Sequence, residues 1–234
     1  MLGFIYFDPM YFLFLAPAML LAGWASVRVK STFARASELA PSSRMSGAEA
    51  AAHVLDAYGL RNVSIEPAQG FLSDHYDPRH KVLRLSPDVY QGRSLAAVGV
   101  AAHEAGHAIQ DASSYGPLAI RNGLVPLAGI GSNFSWILLI IGFMLGSATW
   151  LWAGIALFSV TVLFQLINLP VEFDASKRAR AILVQQGIVS PQEEPEVGRV
   201  LNAAAWTYVA ATLTAILTLL YFLFRSGLLG GRRD

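Results

Sequence analysis

His103-Glu104-Ala105-Gly106-His107 lies inside an apolar, Ala-rich stretch that follows Ser94 and runs to about Ala112. In a helix, positions i and i+4 share one face, so both imidazoles can reach a single metal ion. Glu104 projects beside them and can take a proton from a water activated by the metal. Ser94 is placed to cap the helix. The motif fixes only three residues, but a chance match in a chain of this composition is expected only about 0.004 times. The competing reading is a buried helix whose two His merely hydrogen-bond in a core. Imidazoles on so apolar a helix would then need other partners.

The third ligand decides the subclass. In the extended metzincin pattern a third His falls ten residues after the first, and here that position is Ser113. The chain has no Cys, so a thiolate is excluded. What remains is a carboxylate from elsewhere, giving two His and one Glu around one zinc ion with a fourth position open. Asp111 follows His107 on the same helical face and suits a supporting role. Glu193, Glu194 and Glu196 read as a solvated acidic patch in a Pro-flanked loop. Glu172 is the better choice. Asn168-Leu169-Pro170-Val171-Glu172 reads as a helix start, with Asn168 near the cap and Pro170 in the first turn. Positions 175, 176 and 179 on the face of Glu172 are Ala, Ser and Ala, small enough to approach Ala105 and Gly106 closely. Asp174 is roughly 200° around the helix from Glu172 and points elsewhere. The alternative for Glu172 is an acid favoured in a first turn by the helix dipole.

Composition places this site in a membrane protein. The chain is 54% apolar and 14% charged, beyond the range of ordinary soluble domains. Residues 123 to 169 carry no charged side chain, which at about 20 residues per crossing is room for two spans with a turn near Gly146 to Thr149. Residues 4–27 read as a first transmembrane helix and 203–225 as a fourth. Residues 28–122 form a catalytic segment with a short β-hairpin and the HExxH helix. Residues 170–202 carry the third ligand and the acidic loop, and 226–234 are a tail. Arg28, Lys30 and Arg35 follow the first span and no Lys or Arg precedes it. The positive-inside rule then puts 28–122 and 170–202 in the cytoplasm. Only Arg225, Arg232 and Arg233 conflict, which leaves the crossing of the last segment open. An even number of spans separates HExxH from Glu172, so both face the same side.

Between the first span and the zinc helix, residues 45 to 59 read as an amphipathic helix capped at Ser46 or Gly47. Asn62 to Glu66 reads as a strand, and Gly70 to Leu85 as a hairpin turning at Asp77-Pro78-Arg79-His80. An extended peptide can pair with the edge of such a strand, and His75 and Tyr76 are candidates to line that cleft, beside their plainer reading as hairpin residues. His53 and His80 read as surface residues. The scattered basic residues give no reason to invoke nucleic acid.

HEAGH, a charge-free membrane hairpin and Pro170-Val171-Glu172-Phe173-Asp174-Ala175-Ser176, together with Ser73 to Arg79 and Lys81 to Ser86, resemble the YugP-like family of bacterial membrane zinc metallopeptidases. The chain is more distantly similar to the HtpX membrane peptidases. The resemblance implies zinc on His103, His107 and Glu172, with Glu104 as general base. The distant relatives carry an Asp four residues after the ligand Glu, where this chain has Ser176. That leaves the partner of a zinc-binding His open among Ser176, Asp111 and Asp174.

The expectation is a mainly α membrane protein of about four transmembrane helices with a small α+β zincin-like, gluzincin-type catalytic domain. The expected activity is that of a zinc metalloendopeptidase of the bacterial inner membrane, with one zinc ion per chain. Its partners are the lipid bilayer and a peptide or membrane-protein substrate. Arg178, Arg180, His75 and Tyr76 are candidates to assist the transition state, the arginines equally readable as topology-setting charge. Two rivals remain. A diiron carboxylate oxidoreductase needs a second Glu-x-x-His, which the chain lacks. A silent scaffold would be expected to lose Glu104 or a ligand.

Overall fold

The computed structural model describes residues 9–70 and 73–227. Among the described residues seven helices and three strands follow one another: α1 (Pro9–Ser37), α2 (Gly47–Ala57), β1 (Ser64–Pro67), β2 (His75–Asp77), β3 (Val82–Leu85), α3 (Pro87–Tyr90), α4 (Leu95–Ala112), α5 (Gly116–Leu145), α6 (Ala148–Gln185) and α7 (Glu194–Arg225). The described residues divide between two compact units, one within 25–119 and 170–206, the other of residues 9–24, 120–169 and 207–227. Phe4 to Phe7, where the first span was expected to begin, lie outside the described residues, as do Phe71, Leu72, Arg232 and Arg233.

Helices α1, α5, α6 and α7 are each long and apolar enough to cross a membrane. In the unit they build, large apolar side chains such as Leu13, Leu20, Ile130, Phe134 and Leu145 point outward, the inverse of a water-soluble domain. Close contact rests on small residues. A Cβ on Gly142 would sit 2.6 Å from the Leu151 backbone nitrogen, and one on Gly154 would sit 2.7 Å from Leu139 Cγ. This is how helices pack when lipid removes the hydrophobic drive between them. Gly146, at φ +60°, makes the turn between α5 and α6.

The other unit has a conventional core. Val54 and Leu55 of α2, Leu83 and Leu85 of β3, Val98, Ala102 and Ile109 of α4, and Ile182 and Leu183 of α6 are buried in one cluster. Ser46 caps α2 in a full capping box with Glu49, worth about 1 kcal/mol. The sheet order is β1-β3-β2, with β1 parallel and β2 antiparallel to the central β3. β2 is therefore an edge strand, joined to β3 by the expected turn, where Arg79 and His80 donate backbone N–H to Asp77 Oδ1. α4 touches β2 and β3.

One expectation about the chain path fails. No helix starts at Asn168; α6 runs unbroken through Pro170 from Ala148 to Gln185. A proline inside a helix removes a backbone bond and costs about 3 kcal/mol. Here the turns beyond it bury Val171, Ala175, Ala179, Ile182 and Leu183 completely or nearly so, which offsets that loss. Asn168 does not cap a helix; its Oδ1 accepts a hydrogen bond from Arg121 Nε at 3.2 Å.

Candidate metal centre

α4 carries the HExxH motif on a helix buried almost all round. Ser94 caps it by accepting the Ala97 N–H at 3.2 Å. Ala101, Ala102, Ala105 and Gly106 are buried, Glu104 is 8% exposed, and the two His are half-buried. Their rings lie 4.8 Å apart at an interplanar angle of 84°. The part of α6 that crosses them does so at Gly106, where a Cβ would stand 2.9 Å from the Ala175 carbonyl oxygen. That approach sets Glu172, one turn earlier, against the imidazoles.

The geometry is convergent. Glu172 Oε2 lies 3.3 Å from His103 Nε2 and 3.6 Å from His107 Nε2, and the three candidate ligand atoms lie within 4.8 Å of one another. Yet Glu172 Oε2 is buried without a hydrogen-bond partner. A buried carboxylate oxygen left so is costly unless something else sits between it and the two nitrogens that face it. Two imidazole nitrogens and one carboxylate oxygen are the donor set of an open zinc site. Charge agrees with geometry. Burial disfavours the protonated form of His107, but the Glu172 and Glu104 carboxylates outweigh burial and raise the imidazole above its usual value. The two carboxylates therefore favour positive charge in the pocket.

Away from the pocket, each imidazole is held by its other nitrogen. Ser176 Oγ lies 3.1 Å from His103 Nδ1. Gln110 Oε1 lies 3.0 Å from His107 Nδ1. Of the three residues left open as partners of a His, Ser176 fills that place directly. Asp111 does not, because its carboxylate accepts hydrogen bonds from Tyr76 Oη at 2.7 Å and Lys81 Nζ at 2.5 Å. Asp174 touches neither imidazole and reaches the site only through Gln110 Nε2, at 2.8 Å. Gln110 was missed by sequence reasoning that weighed only charged or hydroxyl partners. The signal was present: a lone amide three residues after His107, on the same face of an apolar helix.

The other candidates are placed as follows. His75 is exposed, with Nδ1 2.8 Å from the Ser73 carbonyl. Tyr76 sits in the edge strand with its hydroxyl on Asp111, and burial and that carboxylate push its phenol well above the usual range. Arg178 donates to Asp174 at 2.5 Å and stacks 5.6 Å from the centre of the Tyr115 ring. Arg180 pairs with Glu194. The expected solvated acidic patch is instead a set of clamps. Glu193 accepts from Ser42 and Ser190, and Glu196 pairs with Arg35 and Arg199. Ser42 and Arg35 reach these acids from far along the chain, whereas Ser190 and Arg199 lie three residues from the acid that each one holds.

The sequence from residue 11 to 227 matches the family model described as "Putative neutral zinc metallopeptidase". The chain belongs to that zinc metallopeptidase family. Within curated proteins it is similar to the "Putative membrane protease YugP" of Bacillus subtilis (strain 168). The two are 48% identical over 214 residues, covering 91% of this chain and 95% of the relative. No solved structure matches. The family's description accords with zinc and proteolysis, and the relative's name with the four apolar helices.

Proposed function

We propose that the protein is an integral-membrane zinc metalloendopeptidase of gluzincin type, working at the cytoplasmic face of the bacterial inner membrane. The observation that carries this reading is the convergence of His103 Nε2, His107 Nε2 and the orphaned Glu172 Oε2. These three residues would hold one zinc ion, and Glu104 would serve as general base. Bound zinc supplies Lewis-acid polarisation of the substrate carbonyl and makes a neighbouring water more acidic. Glu104, one residue from His103 and largely buried, accepts the proton of the attacking water and returns it to the departing amine nitrogen. Its burial limits exchange of that proton with bulk solvent. Ser176 and Gln110 fix the ring planes so that both Nε2 atoms face Glu172.

The substrate is a peptide segment, free or part of a membrane protein, bound in extended form. β2 is the edge of the sheet and packs on α4, so a peptide paired along it lies beside the HExxH helix with its carbonyls spaced by backbone hydrogen bonds. The cytoplasmic assignment rests on the excess of Lys and Arg in residues 28–122 and 170–202.

The test is the full-length protein in detergent micelles, with zinc content and cleavage of an unstructured peptide measured together. Glu104→Gln is expected to retain zinc and to lower kcat by about 10²-fold or more. Cleavage at the wild-type rate by that variant refutes the assignment of the base. Two iron atoms per chain, in place of zinc, would overturn the metal reading.

A further inference from the structure

We infer that Gln110 is the positioning residue that fixes the tautomer and ring plane of His107, and that Asp174 and Arg178 fix Gln110 in turn. The inference rests on the proposed zinc site. Gln110 is fully buried, so its amide cannot turn to water for partners. Its Nε2 lies 2.9 Å from the Val171 carbonyl oxygen and 2.8 Å from Asp174 Oδ2. Both of those atoms are acceptors only, and an amide nitrogen has two hydrogens to give. Rotating the amide by half a turn would place its oxygen against two oxygens. One orientation is therefore allowed, and in it Oε1 faces His107 Nδ1 at 3.0 Å. An amide oxygen can only accept, so Nδ1 must carry the proton. His107 Nε2 is then left with its lone pair aimed at the pocket, the form a metal requires.

The two imidazoles differ in this respect. His103 Nδ1 faces Ser176 Oγ at 3.1 Å, and a hydroxyl both donates and accepts, so that contact admits either tautomer. His107 has no such freedom. The constraint extends outward, because Asp174 Oδ2 also accepts from Arg178 Nε, whose guanidinium stacks over Tyr115. The chain Arg178, Asp174, Gln110, His107 alternates donor and acceptor without a gap. It also accounts for Asp174, which faces away from Glu172 on α6 yet is bonded to two residues of this relay.

The test uses full-length protein in detergent micelles and measures zinc affinity by chelator competition, with circular dichroism to establish folding. Gln110→Met keeps the volume and removes both polar functions. Zinc affinity should fall by about 10–100-fold, as for other outer partners of metal-bound His, while the helical signal persists. In the metal-free wild type, ¹⁵N chemical shifts of the histidine rings, read above the imidazole titration, should show His107 protonated at Nδ1 and bare at Nε2. Unchanged zinc affinity in Gln110→Met overturns the inference. If that variant does not fold, the wild-type ring shifts decide alone: a proton on His107 Nδ1 supports the relay, and a proton on Nε2 in its place refutes it. His103→Ala separates the two levels of the argument. A wild type that binds no zinc, or a His103→Ala variant that binds it undiminished, would fault the site itself rather than the relay.

Discussion

Gly106 and Ala175 meet backbone to backbone: a Cβ on Gly106 would lie 2.9 Å from the Ala175 carbonyl oxygen and 3.4 Å from its Cα. Every distance in the metal pocket depends on this crossing, because Glu172 is one turn from Ala175 and His103 and His107 flank Gly106. Elsewhere on a helix, Gly→Ala would stabilise by up to about 1 kcal/mol. At this position the added methyl meets backbone that cannot rotate away, and overpacking costs about 1–3 kcal/mol. Gly106→Ala should therefore lower Tm and weaken zinc binding together. Thermal unfolding with and without chelator checks this, and a gain in Tm would show that the contact yields easily.

Glu172 offers a sharper test of the pocket. Removing its carboxylate leaves two imidazoles facing each other with one ligand fewer. Glu172→Ala should purify with well under one zinc ion per chain and no peptidase activity. In the metal-free protein the Glu172 carboxylate faces both imidazoles at 3.3 and 3.6 Å and raises His107 above its usual value, so metal-free Glu172→Gln, which loses that attraction, should be less stable than the metal-free wild type near neutral pH. Metal analysis paired with unfolding curves in excess chelator reads both outcomes. Full zinc occupancy in Glu172→Ala would remove it from the ligand set.

Much of this site was legible because it follows from short periodicities. HExxH is an i, i+4 pair; Ser94 and Ser46 are caps visible from the next three residues; Ala175 and Ala179 mark a close-packing face. What the sequence hid were choices settled by tertiary contact. Pro170 read as a helix start because proline favours first turns, but the burial of Val171, Ala175 and Leu183 carries α6 straight through it. Asp111 shares a face with His107, yet Tyr76 and Lys81 of the hairpin claim its carboxylate. Asp174 was set aside by helical angle, and the angle was right; a glutamine from another helix makes the connection.

Tyr76 separates two roles that the sequence left side by side. If its hydroxyl stabilised the transition state, Tyr76→Phe would lower kcat by about 10²-fold or more. With that hydroxyl already donated to Asp111 at 2.7 Å, the variant should instead lose about 0.5–1.5 kcal/mol of stability. Its kcat should then stay within a few-fold of the wild type. Steady-state kinetics beside thermal unfolding distinguishes the cases, and a large fall in kcat at unchanged Tm would return Tyr76 to the chemistry.

The absence of Cys from the chain makes its orientation directly measurable, since a single introduced thiol has no background. Gln91, just before α4, and Gln186, just after α6, are exposed, as is Thr149 at the start of α6. In the proposed orientation the first two lie in the cytoplasm and the third across the membrane. Gln91→Cys and Gln186→Cys should resist a membrane-impermeant maleimide in intact cells and react once the membrane is opened, whereas Thr149→Cys should react in both. Labelling of Gln91→Cys from outside would invert the protein and place the site on the opposite face. Ser226→Cys addresses the remaining conflict. Arg225 ends α7, and its charge opposes export, while the length and apolarity of α7 suffice for a crossing. The free energy of inserting some 20 apolar residues exceeds the bias of a few terminal charges, so Ser226→Cys should label from outside.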